Sequence, residues 1–257
     1  MIRQYPLTPA AGKRLMAKAL TAHPWVTKAL RGGRLIIVAG TTNGYVAEEI
    51  LTHIGQAVGF LRRRFFRGLT LPPALVARMA ANPPDSSGFP GDVVIDKGVW
   101  QRAKTVFEVI DELGPDDVIV KGANALDVAG GHAASFIDHP DAGPTGTILP
   151  AVLGRHVKLL IPVGLEKRVS GNLLDLCSAL DGTDAKGPRL CPMPGKVFTE
   201  IDAIALLTRA SATLVGAGGV AGAEGSVWLA VEGSTDQHGQ VEALMRQVLA
   251  EPAFNVE

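Results

Sequence analysis

The sequence predicts an α/β protein, a parallel sheet with helices on both faces, and three observations carry that reading. Short apolar runs ending in glycine loops alternate along the chain with stretches of helical period. The runs are continuous rather than alternating, as in Leu35-Ile36-Ile37-Val38-Ala39, which is what strands buried on both faces require. Hydrophobic residues make up 47% of the chain but aromatics only 5%, so the core must be built from Val, Leu, Ile and Ala.

Thr8 to Leu30 carries Leu15, Met16, Ala19 and Leu20 at helical spacing. The strand over 35–39 enters Gly40-Thr41-Thr42-Asn43-Gly44, and Val46, Ile50, Leu51 and Ile54 then form one helix face. Asp92 to Ile95 reads as a short strand ending in Asp96-Lys97-Gly98, followed by a helix carrying Val106, Val109, Ile110 and Leu113. Asp117 to Val120 is a strand ending in Lys121-Gly122-Ala123-Asn124. Gly143 to Leu153 is helical, and Lys158 to Val163 is a strand ending in Gly164-Leu165-Glu166-Lys167. Strands alternating with helices imply right-handed crossovers and a Rossmann-like parallel sheet. Residues 170–194, rich in Gly, Asp, Ser and Pro, read as a surface excursion. The end of the chain is a strand–helix extension. Its strands are Thr213-Leu214-Val215 and Ser226 to Val231, and its helix carries Val241, Leu244, Met245, Val248 and Leu249. A single α/β domain over 1–257 accommodates all of this.

Charge narrows the function. Lys plus Arg equals Asp plus Glu at 25 each, and a nucleic-acid binder needs a surplus of cations, so no nucleic-acid partner is expected. No apolar run spans a bilayer and Met1–Ala11 lacks the apolar core of a signal peptide, so the expectation is a cytoplasmic chain without a membrane partner. Cys177 and Cys191 have no C-x-x-C spacing and read as small buried hydrophobes. Asp138-His139-Pro140-Asp141 reads as a Pro-anchored turn, since no second histidine motif accompanies it. Neither a metal nor a cofactor is expected.

Ligands of open parallel sheets bind outside the carboxyl ends of the strands, so the strand-end loops are the candidate site. Gly40, Thr41, Thr42, Asn43 and Gly44 suit an anion, because glycines admit close approach and the amides opening the next helix are free donors. The plain alternative is an ordinary Thr or Asn cap. Lys97, Lys121 and Lys167 supply positive charge, Asn124 a further polar group, and Asp96 and Glu166 carboxylates that move protons. The basic segment Arg62 to Arg67 reads as a solvated face with Phe65 or Phe66 docked on the core, or alternatively as a contact for a phosphorylated ligand or acidic partner.

Two stretches resemble a known superfamily. Residues 36–44 are similar to the strand and Gly-Thr-rich phosphate-binding loop of ribose-5-phosphate isomerase, glucosamine-6-phosphate deaminase and the sensor domains of DeoR-type regulators. Residues 117–127 are similar to their strand-then-Gly-Ala-Asp signature. Gly143-Pro144-Thr145-Gly146-Thr147 with Leu159 to Val163 resembles the initiation factor 2B and methylthioribose-1-phosphate isomerase group. CoA transferases belong to the same superfamily, and the likeness covers roughly residues 15–165. It departs at the chemistry. Lys121 and Asn124 stand where the resemblance implies acids, Asp127 is shifted from that place, and the cysteine of the methylthioribose-phosphate group has no match.

The resemblance implies an enzyme acting on a small phosphorylated or carboxylated metabolite, a sugar-phosphate isomerase or lyase. Lys121 would hold the anion or polarise a carbonyl, and Asp96 or Glu166 would move the proton. A ligand sensor or structural subunit is the second reading, and acyl-CoA transfer through Glu224 the third. A homo-oligomer is expected, with the face around Val241 and Leu244 as one contact.

Overall fold

The computed structural model describes residues 1–67, 70–73, 76 and 91–255. Its centre is a six-stranded sheet made of β2 (Arg34–Ile37), β3 (Val93–Asp96), β4 (Val99–Trp100), β5 (Val118–Val120), β8 (Lys158–Pro162) and β10 (Lys196–Phe198), in the order β10-β8-β5-β2-β3-β4. The four strands β10, β8, β5 and β2 are parallel. Leu35 to Ile37 and Val118 to Val120 are fully buried one after another, so both faces are covered. Helix α1 (Pro9–Thr21) packs on α3 (Thr41–His53), α7 (Glu200–Thr208) and α8 (Thr235–Val248). A separate group joins α4 (Val106–Val109) to α5 (Gly143–Gly154), while α2 (Pro24–Gly32) lies on β2, β3 and β5.

The expected parallel strand after residue 92 is not parallel. β3 runs antiparallel to β2 and turns straight into β4 through Lys97-Gly98, whose φ angles are 48° and 80°. Positive φ at both central residues is what a two-residue hairpin demands, and Gly98 accepts it without steric cost. A glycine loop after a short apolar strand looks the same in sequence whether the chain returns as a helix or as a hairpin.

Two smaller antiparallel sheets flank the centre. The amino-terminal strand β1 (Ile2–Leu7) pairs with β12 (Val227–Glu232), which pairs with β11 (Ser211–Ala217). β1 carries no helix- or strand-specific period, and burial of Leu7 against the core fixes it. β6 (Ala125–Asp127), β7 (His132–Ile137) and β9 (Arg189–Pro192) form the other sheet. Helix α6 (Leu173–Leu180) packs on that sheet around Ala125, Ala134, Leu173 and Cys177. The 170–194 segment is therefore partly an ordered layer rather than a plain excursion. Cys177 is buried there, whereas Cys191 is only half-buried.

Helix α8 begins with a Ser234–Gln237 capping box. It buries Val241, Leu244, Met245 and Val248 against its own chain, with Leu249 left 42% exposed. That face is spent inside the fold and does not supply the expected subunit contact. Among the described residues no helix is long and apolar enough to cross a membrane.

Candidate functional site

The sheet divides between β2 and β5. From β2 the chain continues to β3 on one side, and from β5 it continues to β8 on the other. Such a division opens a crevice at the carboxyl ends of the two strands. Here the crevice is closed at its base by Asn43, whose Nδ2 donates to the Val38 carbonyl at 2.7 Å and the Val120 carbonyl at 3.0 Å. Two carbonyl acceptors fix the amide orientation, because only the nitrogen end can donate. Asn43 Oδ1 is then left buried without a hydrogen-bond partner, as is Thr42 Oγ1.

Above this floor lies a cavity of about 410 Å³. Its walls are residues 38–43, 121–124, 136–139 and 142–145, together with Arg67 and Lys167. Two helices begin at it. Helix α3 has Gly40 as its cap and α5 has Ala142, and neither cap offers a side-chain hydrogen bond. The first amides of α3, and those of Gly143 and Thr145 in α5, where Pro144 has no N–H, are thus left for water or a ligand, and each helix end carries partial positive charge.

The cations add to that field. Lys121 Nζ donates to Ser135 Oγ at 2.9 Å. Burial lowers its pKa to about 8, with Cys191 opposing the shift and Arg67 and Lys167 adding to it. Lys167 Nζ donates to the Ala123 carbonyl at 2.7 Å. Burial holds it below the usual lysine range, Glu166 and Glu200 pull the other way, and Lys13 reinforces the drop. Arg67 lies 3.0 Å from Asp92. Asp92 is fully buried and also accepts the amides of Ala39 and Val106, so it ties the cavity wall to α4.

Seven expected residues meet in this cavity: Gly40, Thr41, Thr42, Asn43, Lys121, Asn124 and Lys167. Asn124 acts partly as a brace, its Oδ1 accepting the Phe136 amide at 3.0 Å. Four others stand elsewhere. Gly44 lies inside the first turn of α3, where a Cβ would meet Arg62 Cγ at 3.0 Å, so its smallness serves packing and not ligand approach. Asp96 lies 3.2 Å from Arg34, its register partner at the amino end of β2. Lys97 is the hairpin turn beside it, and the antiparallel course of β3 carries both to the wrong end of the sheet. Glu166 turns away from the cavity toward Lys13, 3.6 Å distant. Glu224 is exposed on the β11–β12 hairpin and accepts the Gly222 amide, so no carboxylate nucleophile from that turn reaches the cavity. Asp127 accepts the Gly130 and Leu173 amides, which hold its carboxyl below the ordinary range.

Sequence reasoning passed over Ser135 and the cap at Ala142, and it held a ligand contact by the Arg62–Arg67 segment only as the alternative to a solvated face. Arg67 sits in the basic segment, where Phe65 is fully buried and Arg62 stacks over Tyr45 at 3.9 Å. The signal that singles out Arg67 is its partner Asp92, 25 residues away in sequence. Asp138 and His139 are exposed at the cavity rim, with His139 Nδ1 accepting the Asp141 amide as a local turn. Among the described residues no three His, Cys, Asp or Glu side chains gather as metal ligands. No family model, no curated protein and no solved structure matches the chain.

Proposed function

We propose that the chain is an enzyme that binds a small phosphorylated metabolite in the crevice between β2 and β5, as a sugar-phosphate isomerase or lyase. One observation carries the reading: two helix amino ends without a side-chain cap and two half-buried lysines bonded to neutral acceptors converge on one cavity. The anion would lie against the amides of α3 and α5, with Lys167 balancing its charge. Lys121, with a pKa of about 8, is the group suited to proton exchange near neutral pH, or to polarising a carbonyl oxygen. Glu166 and Asp96 have no part in this version, because neither lines the cavity. The resemblance of residues 36–44 and 117–127 to the phosphosugar isomerases, deaminases and CoA transferases supports it, since those stretches supply the cavity floor.

A second reading, a non-catalytic sensor of the same ligand class, draws on a different observation. Among the described residues that line the cavity, the one carboxylate is Asp138, exposed at the rim. Calorimetric titration with inorganic phosphate, a pentose 5-phosphate and a hexosamine 6-phosphate tests both readings when followed by NMR of the bound compound. Conversion of any of them supports the enzyme, and binding without conversion supports the sensor. No binding of any of the three, at millimolar concentration, overturns both.

A further inference from the structure

Lys167 reaches the cavity from a single 3-10 turn, Leu165–Lys167, that follows β8. What holds that turn is a carboxyl group outside the cavity. Glu200, the first residue of α7, is 1% exposed, and its Oε2 accepts the Leu165 amide at 3.0 Å. On its other side it lies against α1 so closely that a Cβ at Gly12 would overlap Oε1. The charged groups facing Glu200 are Glu166 and Lys167 on the turn and Lys13 on α1. Lys13 is 3.6 Å from Glu166, so the near cation is shared with the other carboxylate. Two residues along α7, Asp202 is committed to the amide and hydroxyl of Thr199.

A buried carboxyl in that setting is costly to ionise. Burial first, and Glu166 second, push Glu200 up to about 8. In either form its oxygen accepts the Leu165 amide and keeps the turn in place.

We propose that Glu200 is a positioning residue of the anion site: by accepting the Leu165 amide it holds the turn that carries Lys167 to the cavity. The inference rests on the anion-site reading above.

Glutamine at position 200 keeps the shape and the acceptor for Leu165 but cannot ionise. Alanine removes the acceptor as well. The probe is inorganic sulfate, titrated calorimetrically into the full chain at pH 6.5, beside chemical denaturation of each variant. Glu200→Gln should bind sulfate within about twofold of wild type, and Glu200→Ala about tenfold more weakly, because the turn is released. Full affinity in Glu200→Ala, or an equal loss in Glu200→Gln, overturns the positioning role. Should Glu200→Ala fail to fold, Glu200→Asp, whose shorter side chain withdraws the acceptor, takes its place. Absence of sulfate binding to wild type at pH 6.5 is the separate result that overturns the anion-site reading itself.

Discussion

At the amino end of the parallel strands, Arg34 lies 3.2 Å from Asp96 and 2.7 Å from Glu112, and Lys28 lies 2.7 Å from Asp116. At the carboxyl end, Lys121 bonds to a serine hydroxyl and Lys167 to a peptide carbonyl. The first arrangement is an exposed surface where each cation meets an acid at little cost. The second draws two ammonium groups partly out of water and gives each a neutral hydrogen-bond acceptor in place of a direct ion pair. A fold gains nothing in stability from that arrangement. The cost is understandable where the missing negative charge belongs to a ligand.

The largest expected effect tests whether the carboxyl end is built around its one committed acid. Asp92 is fully buried and satisfies the Ala39 amide, the Val106 amide and Arg67 together. Asp92→Ala orphans both amides and removes one partner of Arg67, and should destabilise the fold by about 2–4 kcal/mol. Chemical denaturation at neutral pH checks this. A loss below about 1 kcal/mol would mean that water replaces the carboxylate and that the wall of the cavity is not rigid.

Lys121→Met is the next largest and works in two directions. On the ligand side it removes the group suited to act on the substrate, and a lost transition-state contact of this kind costs about 2.7–4 kcal/mol, or a hundred- to thousandfold in kcat/KM. On the stability side its sign depends on pH. The folded-state pKa of about 8 lies below the ordinary lysine value of 10.5. Between those values the unfolded chain holds a proton that the folded chain has released, so wild-type stability gains from this residue as pH rises through the window. The gain amounts to about 3 kcal/mol at roughly 1.4 kcal/mol per unit. The difference in unfolding free energy between Lys121→Met and wild type should therefore shrink from pH 8 to 10.5. A difference that stays flat would place Lys121 in solvent.

Much of this contrast was legible in the chain, and the reason differs by end. Continuous runs such as Leu35 to Ala39 and Lys158 to Val163 announce strands buried on both faces, and the glycine loop at 40–44 announces a helix start. The cavity at the end of β2 and β5 follows from those local features. Strand direction does not, because the segment between β2 and β3, α3 included, sets the direction in which β3 enters the sheet, and no local pattern records it. That single reversal moved Asp96 and Lys97 to the other end. Glu166 and Lys167 are neighbours, yet a 3-10 turn points one toward α1 and the other into the cavity, and nothing in two adjacent letters encodes which. Glu200 was invisible for a related reason: an acid in the first turn of a helix is commonplace, and only its burial against Gly12 makes it unusual.

A smaller effect separates the glycines of the loop. At Gly40 a Cβ meets nothing within 4 Å, whereas at Gly44 it meets Arg62 Cγ at 3.0 Å. Gly44→Ala should cost about 1 kcal/mol or somewhat more through crowding of Arg62, with little change in phosphate affinity. Gly40→Ala should do the reverse, because its methyl group enters the cavity at the amides of α3. Thermal denaturation beside a phosphate titration of both variants checks the exchange. Weakened binding in Gly44→Ala at unchanged stability would return that residue to the ligand.

The smallest effect belongs to the amino end. Arg34 and Asp96 are each about a quarter to a third exposed, at 26% and 33%, and such pairs contribute about 0–1 kcal/mol. Arg34 keeps a second carboxylate, Glu112, so Asp96→Asn leaves it compensated and able to donate to the asparagine oxygen. Its guanidinium is raised in pKa by its carboxylate partners in spite of partial burial, which is the electrostatic opposite of Lys121. Asp96→Asn should shift the denaturation midpoint by no more than that small amount and leave phosphate binding and any turnover unchanged. Asp96 was a plausible proton carrier only while β3 was read as parallel. A hundredfold loss of turnover in Asp96→Asn would mean that the amino end takes part in the chemistry, and the contrast between the two ends would then be wrong.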